Sequence, residues 1–465
     1  MAQVCSSPFG GLGLYATKEY KEGDVILQED PLATLAPAND EDVKKASESI
    51  EPPSSVAKEL HGKFKGMVRA GLCCPQDPKT KQALLKLYHP TNEPSNLEDA
   101  IVDCAIQATD YIRDHTKTGD SLDDSQVLQN IMLVWACNSF QGGRIYEQIS
   151  RVNHSCNPNA LIVPDGESQK LVAAATIHMG DEIDISYLGL MLYAETQTRR
   201  DLLQQDKYFT CTCARCTSSD DLAARIPCPT CHARQAPQQI LDEEVQYDDD
   251  QTAKYISSID ATCQTCQTKS KGTDTAKLQK TMSSVCQKIT SYLQEQESAV
   301  KKDDEEEEEE EEQVLEEYVG LASTVMGDKH WTTNLLLLLH LDRRLSTLSQ
   351  QMITTQEPPA LDDVAEAIDS LERVVRFIQG LELALHMGHV LDNCFLGIAR
   401  ALVSLGDSKS QKFAAAWLEK IQPYVDLFES EGRQKVVQAL SVAWKQHGEN
   451  GDEGGPTKKK VKTGK

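Results

Sequence analysis

The sequence predicts an α+β protein in which a β core is interrupted by a helical insertion and followed by an all-helical C-terminal domain. Three observations predict this class. Short apolar runs bounded by glycine and proline turns lie before residue 31 and between residues 131 and 187. Residues 37–130 are instead rich in Ala, Lys, Glu and Gln and are broken by prolines. From about residue 277 onward, apolar residues recur at the three-to-four spacing of helices.

The first β unit spans residues 9–31, where a glycine turn precedes the apolar run Val25–Leu27 and Pro31 closes it. An apolar run between such breaks is typical of a buried strand. Strand signals return at Ile131, so we expect the helical insertion to end there.

Two strands joined by a turn are expected in the second half of the β core. Asn159–Val163 and Leu171–Ala174 are apolar runs, and Pro164-Asp165-Gly166 between them is a turn sequence. The segment Gly180–Tyr187 then alternates apolar and polar residues. This alternation predicts a strand that holds the Tyr187 phenol beside a core of isoleucines.

The C-terminal region is predicted to consist of stacked helical hairpins. One amphipathic face contains Val364, Ile368, Leu371, Val375 and Ile378. The acidic run Asp303–Glu312 is expected to be a solvated linker or loop, because adjacent glutamates cannot bury apolar surface.

The charge pattern favours basic protein partners over nucleic acid. The net charge of −25 includes ten charges from the acidic run, and the rest of the chain is moderately acidic. No apolar stretch is long enough to span a bilayer, and the N-terminus does not resemble a secretory signal, which predicts an intracellular protein with no membrane partner. The basic cluster Thr457–Lys462 is interpreted either as a nuclear import signal or as a solvated end, so we expect nucleus and cytoplasm.

Seven of the fifteen cysteines have the spacing of zinc ligands. Cys211-x-Cys213-x-x-Cys216 offers three thiolates, and Cys156 is the candidate for the fourth ligand; the alternative is three unrelated buried cysteines. A second set of four is Cys228, Cys231, Cys263 and Cys266, which predicts a closed structural site.

Several motifs follow one another in a fixed order: Gly10–Ala16, Gly23–Ile26, Cys137–Phe140, Asn153–Cys156, Gly180–Tyr187, Arg199–Leu203 and Tyr208–Cys216. This ordered set resembles the SET and MYND (SMYD-like) family of SET-domain protein lysine methyltransferases, and its arthropod-type members in particular. The resemblance covers residues 9–31 and 131–216 closely and the C-terminal helices only in general character. It implies a split SET-domain β fold with a helical insertion, a post-SET zinc site and a TPR-like helical lid.

The expected organisation combines this resemblance with the composition of the remaining segments. Residues 1–36 form the N-terminal part of the SET domain, 37–130 the helical insertion, 131–190 the SET core, 191–218 the post-SET zinc segment, 219–275 the second zinc module, 276–447 the helical C-terminal domain and 448–465 a basic disordered tail.

The resemblance implies S-adenosyl-L-methionine as cofactor and a role for each matching residue. The backbone of Gly10, Gly11 and Leu12 contacts its methionine end, and Asn138 and Asn153 form hydrogen bonds with the same end. His154 holds the edge of the adenine, and Phe209 stacks on the adenine ring. Tyr187 directs its hydroxyl at the methyl-transfer channel, and Tyr208 is the second catalytic candidate.

Two departures from the family pattern stand out. Residues 32–130 contain only Cys73, Cys74 and Cys104, too few for a MYND zinc finger, which we expect to be absent. Family members often place a second channel tyrosine four residues before the first post-SET cysteine. Lys207 occupies that register here, and Tyr208 follows it.

The sequence therefore predicts a protein-lysine N-methyltransferase that depends on S-adenosylmethionine, with two structural zinc ions. Its partner is a protein substrate with a lysine side chain, histone or non-histone. The alternative is a catalytically weak zinc scaffold for protein–protein interaction. A zinc hydrolase is excluded by ligand count, because four thiolates leave no position for a water molecule.

Overall fold

The computed structural model describes residues 2–8, 11–35, 50–75, 77–90, 98–115, 125–218, 220–224 and 305–383, with shorter pieces at 226–227, 234–235, 261–262, 266–267, 269–270, 284, 394, 396–402, 404–405, 416 and 419. The chain divides into two compact units. The first is Met1–Leu192 with Gln197–Cys216, and the second is Tyr193–Thr196 with Thr217–Lys465.

The first unit contains nine strands: β1 (Ala2–Ser6), β2 (Leu12–Ala16), β3 (Val25–Glu29), β4 (Ala33–Thr34), β5 (Arg144–Ile145), β6 (Asn153–His154), β7 (Ala160–Asp165), β8 (Ser168–Ala173) and β9 (Glu182–Ile185), counted over the residues described above. Its helices are α1 (His61–Leu72), α2 (Pro78–Leu84), α3 (Asp99–His115), α4 (Ser125–Asn138), α5 (Thr196–Lys207) and the single turn α6 (Ala214–Thr217). Short 3₁₀ turns cover Lys58–Leu60, Gln141–Gly143, Ile149–Arg151 and Gly189–Tyr193.

One sheet brings distant parts of the sequence together. Its strand order is β1-β2-β9-β6, and β6 runs parallel to β9, with Asn153 opposite Asp184 and His154 opposite Ile185. Strand β2 runs antiparallel to β9 on the other side. Because β9 is central, the glycine turn before β2 and the Asn-His pair of β6 flank the same strand.

A second sheet has the order β3-β8-β7. The β7–β8 hairpin confirms the predicted pair of strands, with Gly166 in the left-handed conformation at its turn. Pro164 lies inside β7, which is an edge strand and therefore tolerates a residue without an N–H group. The buried core of these sheets contains Leu14, Ala16, Tyr20, Ile26, Val152, Ala160, Leu171, Ala173, Ile177, Ile183 and Ile185.

The predicted insertion contains helices joined by turns and loops in the residues that the structure describes, with no strand among them, but it ends later than expected. The predicted strand from Ile131 is wrong, since Ile131–Asn138 belongs to α4. This helix packs against α1 and α3. Side chains from Ile131 to Val134 are all buried, and a run that is apolar on every face does not distinguish a buried strand from a buried helix.

The second unit begins with two short antiparallel pairs, β10 (Ile226–Pro227) with β11 (Arg234–Gln235) and β12 (Ala261–Thr262) with β13 (Lys269–Ser270). Three longer helices follow: α7 (Glu305–Met326), α8 (Trp331–Thr355) and α9 (Leu361–Gln379). Helix α8 packs against both α7 and α9. Among the described helices, none is long and apolar enough to cross a membrane.

Two expectations about these helices have different outcomes. On the predicted face of α9, Val364, Leu371 and Ile378 are buried, which confirms the helical periodicity. The acidic run is not a loop from Glu305 onward, because α7 begins there. Glutamate has a high helix propensity and its charges favour the N-terminal end of a helix, so solvation of the side chains does not prevent helix formation.

Candidate functional site

Four cysteine sulfur atoms from two separate segments meet in the first unit. Cys156 follows β6, and Cys211, Cys213 and Cys216 follow α5. All four Sγ atoms lie within 4.8 Å of one another. Sγ of Cys156 is 3.4 Å from that of Cys216 and 4.0 Å from that of Cys211. Since Zn–S bonds of about 2.3 Å in a tetrahedron separate the sulfurs by about 3.8 Å, the group fits a structural zinc ion.

Three arginines donate hydrogen bonds to the cysteines of this cluster, and no role was predicted for them from the sequence. Arg199 is fully buried and its Nη2 lies 3.6 Å from Sγ of Cys216. Arg200 donates to the backbone carbonyls of Cys211 and Cys216. The sequence does contain a signal for Arg199 and Arg200. Two adjacent arginines precede the cysteine triplet by about ten residues, and nearby cations stabilise thiolates.

Arg215 ties the cysteine triplet to the segment that contains the fourth cysteine. Its Nη1 donates to the carbonyl oxygen of Cys156 at 3.0 Å and to that of Leu192 at 2.6 Å. Hydrogen bonding among the four thiols, first from Cys156, lowers the pKa of Cys216 to about 6 and lowers that of Cys213 further. Hydrogen bonding within the same group raises the pKa of Cys156 and of Cys211, so two of the four thiols favour the thiolate form that binds zinc.

His154 lies between the cysteine cluster and Tyr187. Its Nε2 is 3.2 Å from Sγ of Cys156, and its Nδ1 accepts a hydrogen bond from the backbone N–H of Tyr187 at 3.0 Å. Burial lowers the pKa of His154 to about 4, so the ring is neutral at physiological pH. The rings of His154 and Phe209 have centroids 6.1 Å apart, which places the two residues predicted to hold adenine side by side.

Tyr187 lies two residues beyond β9, where the burial of Ile183 and Ile185 confirms the predicted alternation. The residue as a whole is 36% exposed, but its hydroxyl donates a 2.6 Å hydrogen bond to the carbonyl oxygen of Val152. Burial of the phenol, followed by the nearby negative charge of Asp184, raises its pKa. The phenol is therefore held fixed and protonated.

The side chain of Asn153 in β6 reaches the glycine turn that precedes β2, on the other side of the central strand β9. The Nδ2 atom of Asn153 donates to the carbonyl oxygen of Leu12 at 3.2 Å and to Oε1 of Glu182 at 2.7 Å. A side chain at Gly13 would overlap both Asn153 and Glu182. Glu182 had no role assigned from the sequence, and its carboxylate also accepts hydrogen bonds from the hydroxyls of Ser7 and Tyr15.

The turn itself is open enough for a ligand to approach. Gly11 has a φ of +66°, and among the described residues no atom beyond its chain neighbours lies within 4 Å of the position that a Cβ would occupy. Leu12 is 46% exposed. The third turn residue assigned to the cofactor, Gly10, lies outside the described residues. The backbone at Gly11 is therefore accessible beside Asn153, and the predicted contact of this turn with the methionine end of the cofactor stays a prediction.

Asn138 has partners other than the predicted cofactor. Its Nδ2 donates to the carbonyl oxygens of Tyr88 and Val134, both within the helical insertion. These bonds join the end of α4 to the segment after α2. The predicted bond from Asn138 to the cofactor stays a prediction.

Lys207, not Tyr208, contacts the ring of Tyr187. The Nζ of Lys207 lies 5.4 Å from the centroid of that ring. Tyr208 has a left-handed φ of +62° and packs into the core of the insertion, with its hydroxyl accepting a hydrogen bond from Lys63 at 2.9 Å. The predicted catalytic role of Tyr208 would need its side chain near Tyr187. The change of backbone direction after α5 instead turns that side chain toward the insertion.

The second predicted cysteine set falls largely outside the described residues, which include only Cys266. Two described strand pairs frame it. The segment with Cys228 and Cys231 joins β10 to β11, and the segment with Cys263 and Cys266 joins β12 to β13.

Comparison with known proteins gives partial matches. The model of the SET domain family matches residues 11–188. N-lysine methyltransferase SMYD2 of Rattus norvegicus is 35% identical over 88 residues, which are 19% of this chain and 20% of that protein. Histone-lysine N-methyltransferase SMYD3 of Mus musculus is 28% identical over 158 residues, 31% of this chain and 36% of that protein. The chain thus spans about a fifth to a third of the length of these relatives.

Proposed function

We propose, from the premise that this chain is a SMYD-like member of the SET-domain family, that it is a protein-lysine N-methyltransferase dependent on S-adenosyl-L-methionine. The observation that carries the proposal is the parallel pairing of β6 with β9. It brings the Asn-His pair, Tyr187 and the four cysteines, which are far apart in sequence, into one contiguous set of contacts.

The cofactor supplies an activated methyl group, so the protein needs to bind and orient the reactants and not to generate a nucleophile. The open turn at Gly11 and Leu12 and the side chain of Asn153 would bind its methionine end. His154 and Phe209 lie side by side for the adenine. Zinc held by the four thiolates would fix the segment that contains Phe209 against β6.

Tyr187 is assigned to the acceptor lysine. Its hydroxyl is anchored on Val152 and its backbone on His154, so the ring has little freedom to move. A fixed aromatic wall aligns an incoming amine, and a desolvated channel favours the neutral amine that attacks the methyl group.

Basic proteins are the proposed substrates. The chain carries a net charge of −25, and complementary charge steers partners of opposite sign toward an acidic surface. Histones belong to this class, and non-histone proteins rich in lysine fit equally well. Nucleus and cytoplasm are the proposed compartments, with the basic cluster Thr457–Lys462 as import signal.

The test compares Tyr187→Phe with Tyr146→Phe. Both changes remove a hydroxyl that donates to a backbone carbonyl, of Val152 in one case and of Glu167 in the other. Purified protein is incubated with methyl-labelled cofactor and a panel of basic proteins. We expect labelling to fall about 10²-fold in Tyr187→Phe and to persist in Tyr146→Phe. Equal labelling by both variants would refute the assignment.

A catalytically weak zinc scaffold for protein–protein interaction is the second candidate. One observation favours it: a lysine faces Tyr187 at the position where the family often has a tyrosine. Calorimetric titration with the cofactor separates the two functions. Absence of binding supports the scaffold, whereas binding with transfer to a basic protein supports the enzyme.

A further inference from the structure

The amine of Lys207 lies beside the ring of Tyr187, the residue assigned to the acceptor lysine. Lys207 is the last residue of α5, and its Nζ is 5.4 Å from the centroid of the Tyr187 ring. The same Nζ donates a 3.2 Å hydrogen bond to the carbonyl oxygen of Cys137, at the end of α4. The hydrogen bond to Cys137 therefore fixes the amine while it lies near the tyrosine assigned to the acceptor lysine.

The backbone keeps Lys207 close to the residues proposed to bind the cofactor. Phe209, the proposed adenine contact, is two residues away, and Cys211 of the cysteine cluster is four residues away. Helix α5 fixes Lys207 on one side, and the cluster fixes the chain on the other. An amine held in this way has a high effective concentration at a neighbouring reaction centre.

From this geometry we infer that Lys207 is itself a methyl acceptor, so that the protein methylates its own chain at this residue. The inference rests on the proposed function and adds a modification site to it. The lone pair of Nζ forms the new N–C bond while the S–C bond of the sulfonium donor breaks. The electron pair of that bond stays on the departing thioether sulfur, and Nζ releases one proton to solvent.

The surroundings of Lys207 favour its nucleophilic form. Burial is the main factor that lowers its pKa, and the charge of Lys63 acts in the same direction. Cys137 and Asp206 oppose the shift. One N–H of the neutral amine remains bonded to the carbonyl of Cys137, which orients the lone pair away from that carbonyl.

The product is compatible with the same position. A methylated lysine keeps its positive charge once protonated, and a methylammonium group binds well to an aromatic face. The ring of Tyr187 is already within the distance of such a contact. The modified side chain therefore has a partner and needs no rearrangement of α5.

The test is a peptide map of the full-length protein, as purified and after incubation with methyl-labelled cofactor alone. Trypsin cuts after Lys207 to release residues 201–207, whereas methylation at Lys207 favours a missed cleavage and a labelled peptide of residues 201–215. We expect label in this peptide, none in Lys207→Arg, and undiminished label in the matched control Lys63→Arg. Formation of the label should be independent of protein concentration, as for a reaction within one chain.

A second readout needs no cofactor. Reductive methylation with ¹³C-formaldehyde introduces an NMR probe at lysine amines, and Lys207→Arg identifies the signal of Lys207. We expect the signal of Lys207 to titrate at a lower pH than the signals of the exposed methylated lysines in the same spectrum. A titration at or above the pH of those exposed amines would overturn the inference, because the nucleophilic amine would then be too scarce.

The outcomes separate this inference from the proposed function. Transfer to basic proteins with no label on Lys207 overturns self-methylation and leaves the methyltransferase proposal standing. Label on Lys207 that rises with protein concentration also overturns it, because the acceptor then belongs to another copy. Absence of transfer to any acceptor, in protein that has bound the cofactor, overturns both.

Discussion

The backbone N–H of Tyr187 donates a hydrogen bond of 3.0 Å to Nδ1 of His154. Because Nδ1 accepts, the neutral ring carries its proton on Nε2, which faces Sγ of Cys156 at 3.2 Å. His154 thus connects the tyrosine assigned to the acceptor with the cysteine cluster assigned to zinc. A disturbance on either side of the ring is expected to reach the other.

Replacing His154 with alanine should impair methyl transfer more than it impairs metal binding. The backbone of Tyr187 would lose its anchor, whereas all four thiols would remain. We expect kcat/KM to fall about 10²-fold, since small displacements of positioning groups have effects of this size, and bound zinc to stay at the wild-type level. Steady-state kinetics and metal analysis measure the two quantities. His178→Ala, at an exposed turn, is the control, and a parallel loss of zinc in His154→Ala would contradict the prediction.

Replacing Cys156 with serine should remove one zinc ion per chain. Three thiols do not close a tetrahedral structural site, and the free energy of metal binding contributes to folding. We expect bound zinc to fall by one equivalent and the melting temperature to fall with it. Cys5→Ser, in β1 and outside the cluster, should change neither quantity. Unchanged zinc in Cys156→Ser would show that the sulfurs meet without binding a metal.

Much of the fold follows from local patterns in the sequence. The turn at Gly166 and the alternation of Ile183 and Ile185 depend on neighbouring residues, so the β7–β8 hairpin and β9 could be predicted. The meeting of Cys156 with the cysteine triplet could also be predicted, because zinc needs four ligands and the triplet supplies three. The parallel register of β6 with β9 could not, since nothing local in a two-residue strand specifies its partner.

The positions of Lys207 and Tyr208 show why other details escape sequence reasoning. Which of two adjacent side chains faces Tyr187 depends on where α5 ends and on the left-handed backbone at Tyr208. That conformation is uncommon outside glycine and asparagine, so it could not be predicted from the sequence at a tyrosine. The helical structure of Ile131–Asn138 was missed for a similar reason, because burial on all sides is decided by tertiary packing.

Two glycine substitutions should differ in their effects on the cofactor site. In Gly13→Ala the new methyl group would overlap Asn153 and the carboxylate of Glu182 and force them apart. In Gly11→Ala the methyl group meets open space, and the cost is backbone strain of about 1 kcal/mol at a positive φ. We expect Gly13→Ala to weaken cofactor binding at least about tenfold, which is about 1.4 kcal/mol, and to lower the melting temperature.

Calorimetric titration and thermal unfolding of both glycine variants provide the check. Gly11→Ala lies beside the proposed ligand position, so we expect it to weaken binding and to lower the melting temperature less than Gly13→Ala does. Equal stability of the two variants would contradict the close packing of Gly13 against Glu182.

Replacing Asp184 with asparagine should stabilise the protein at alkaline pH. Burial, followed by the negative charges of Glu182 and Cys213, raises the pKa of Asp184 from 3.8 to about 7. A raised carboxyl pKa means that the folded state favours the neutral acid. Its contribution to stability is therefore fully present below pH 3.8 and is lost as the pH rises through about 7.

Asparagine is neutral throughout this range, so the difference in stability between Asp184→Asn and the wild type should grow from pH 5 to pH 8. We expect a gain on the order of 2 kcal/mol at pH 8, after discounting the shift for the partial exposure of the side chain. Denaturant unfolding at several pH values measures it, and Asp201→Asn, on the exposed side of α5, is the matched control. Zinc bound to Cys213 would withdraw part of the negative charge near Asp184, so removing the metal should enlarge the gain. If the free energies of unfolding of Asp184→Asn and the wild type change in parallel with pH, the carboxyl ionises in the folded state at no cost. Contacts other than protonation would then offset the repulsion between Asp184 and Glu182 in β9.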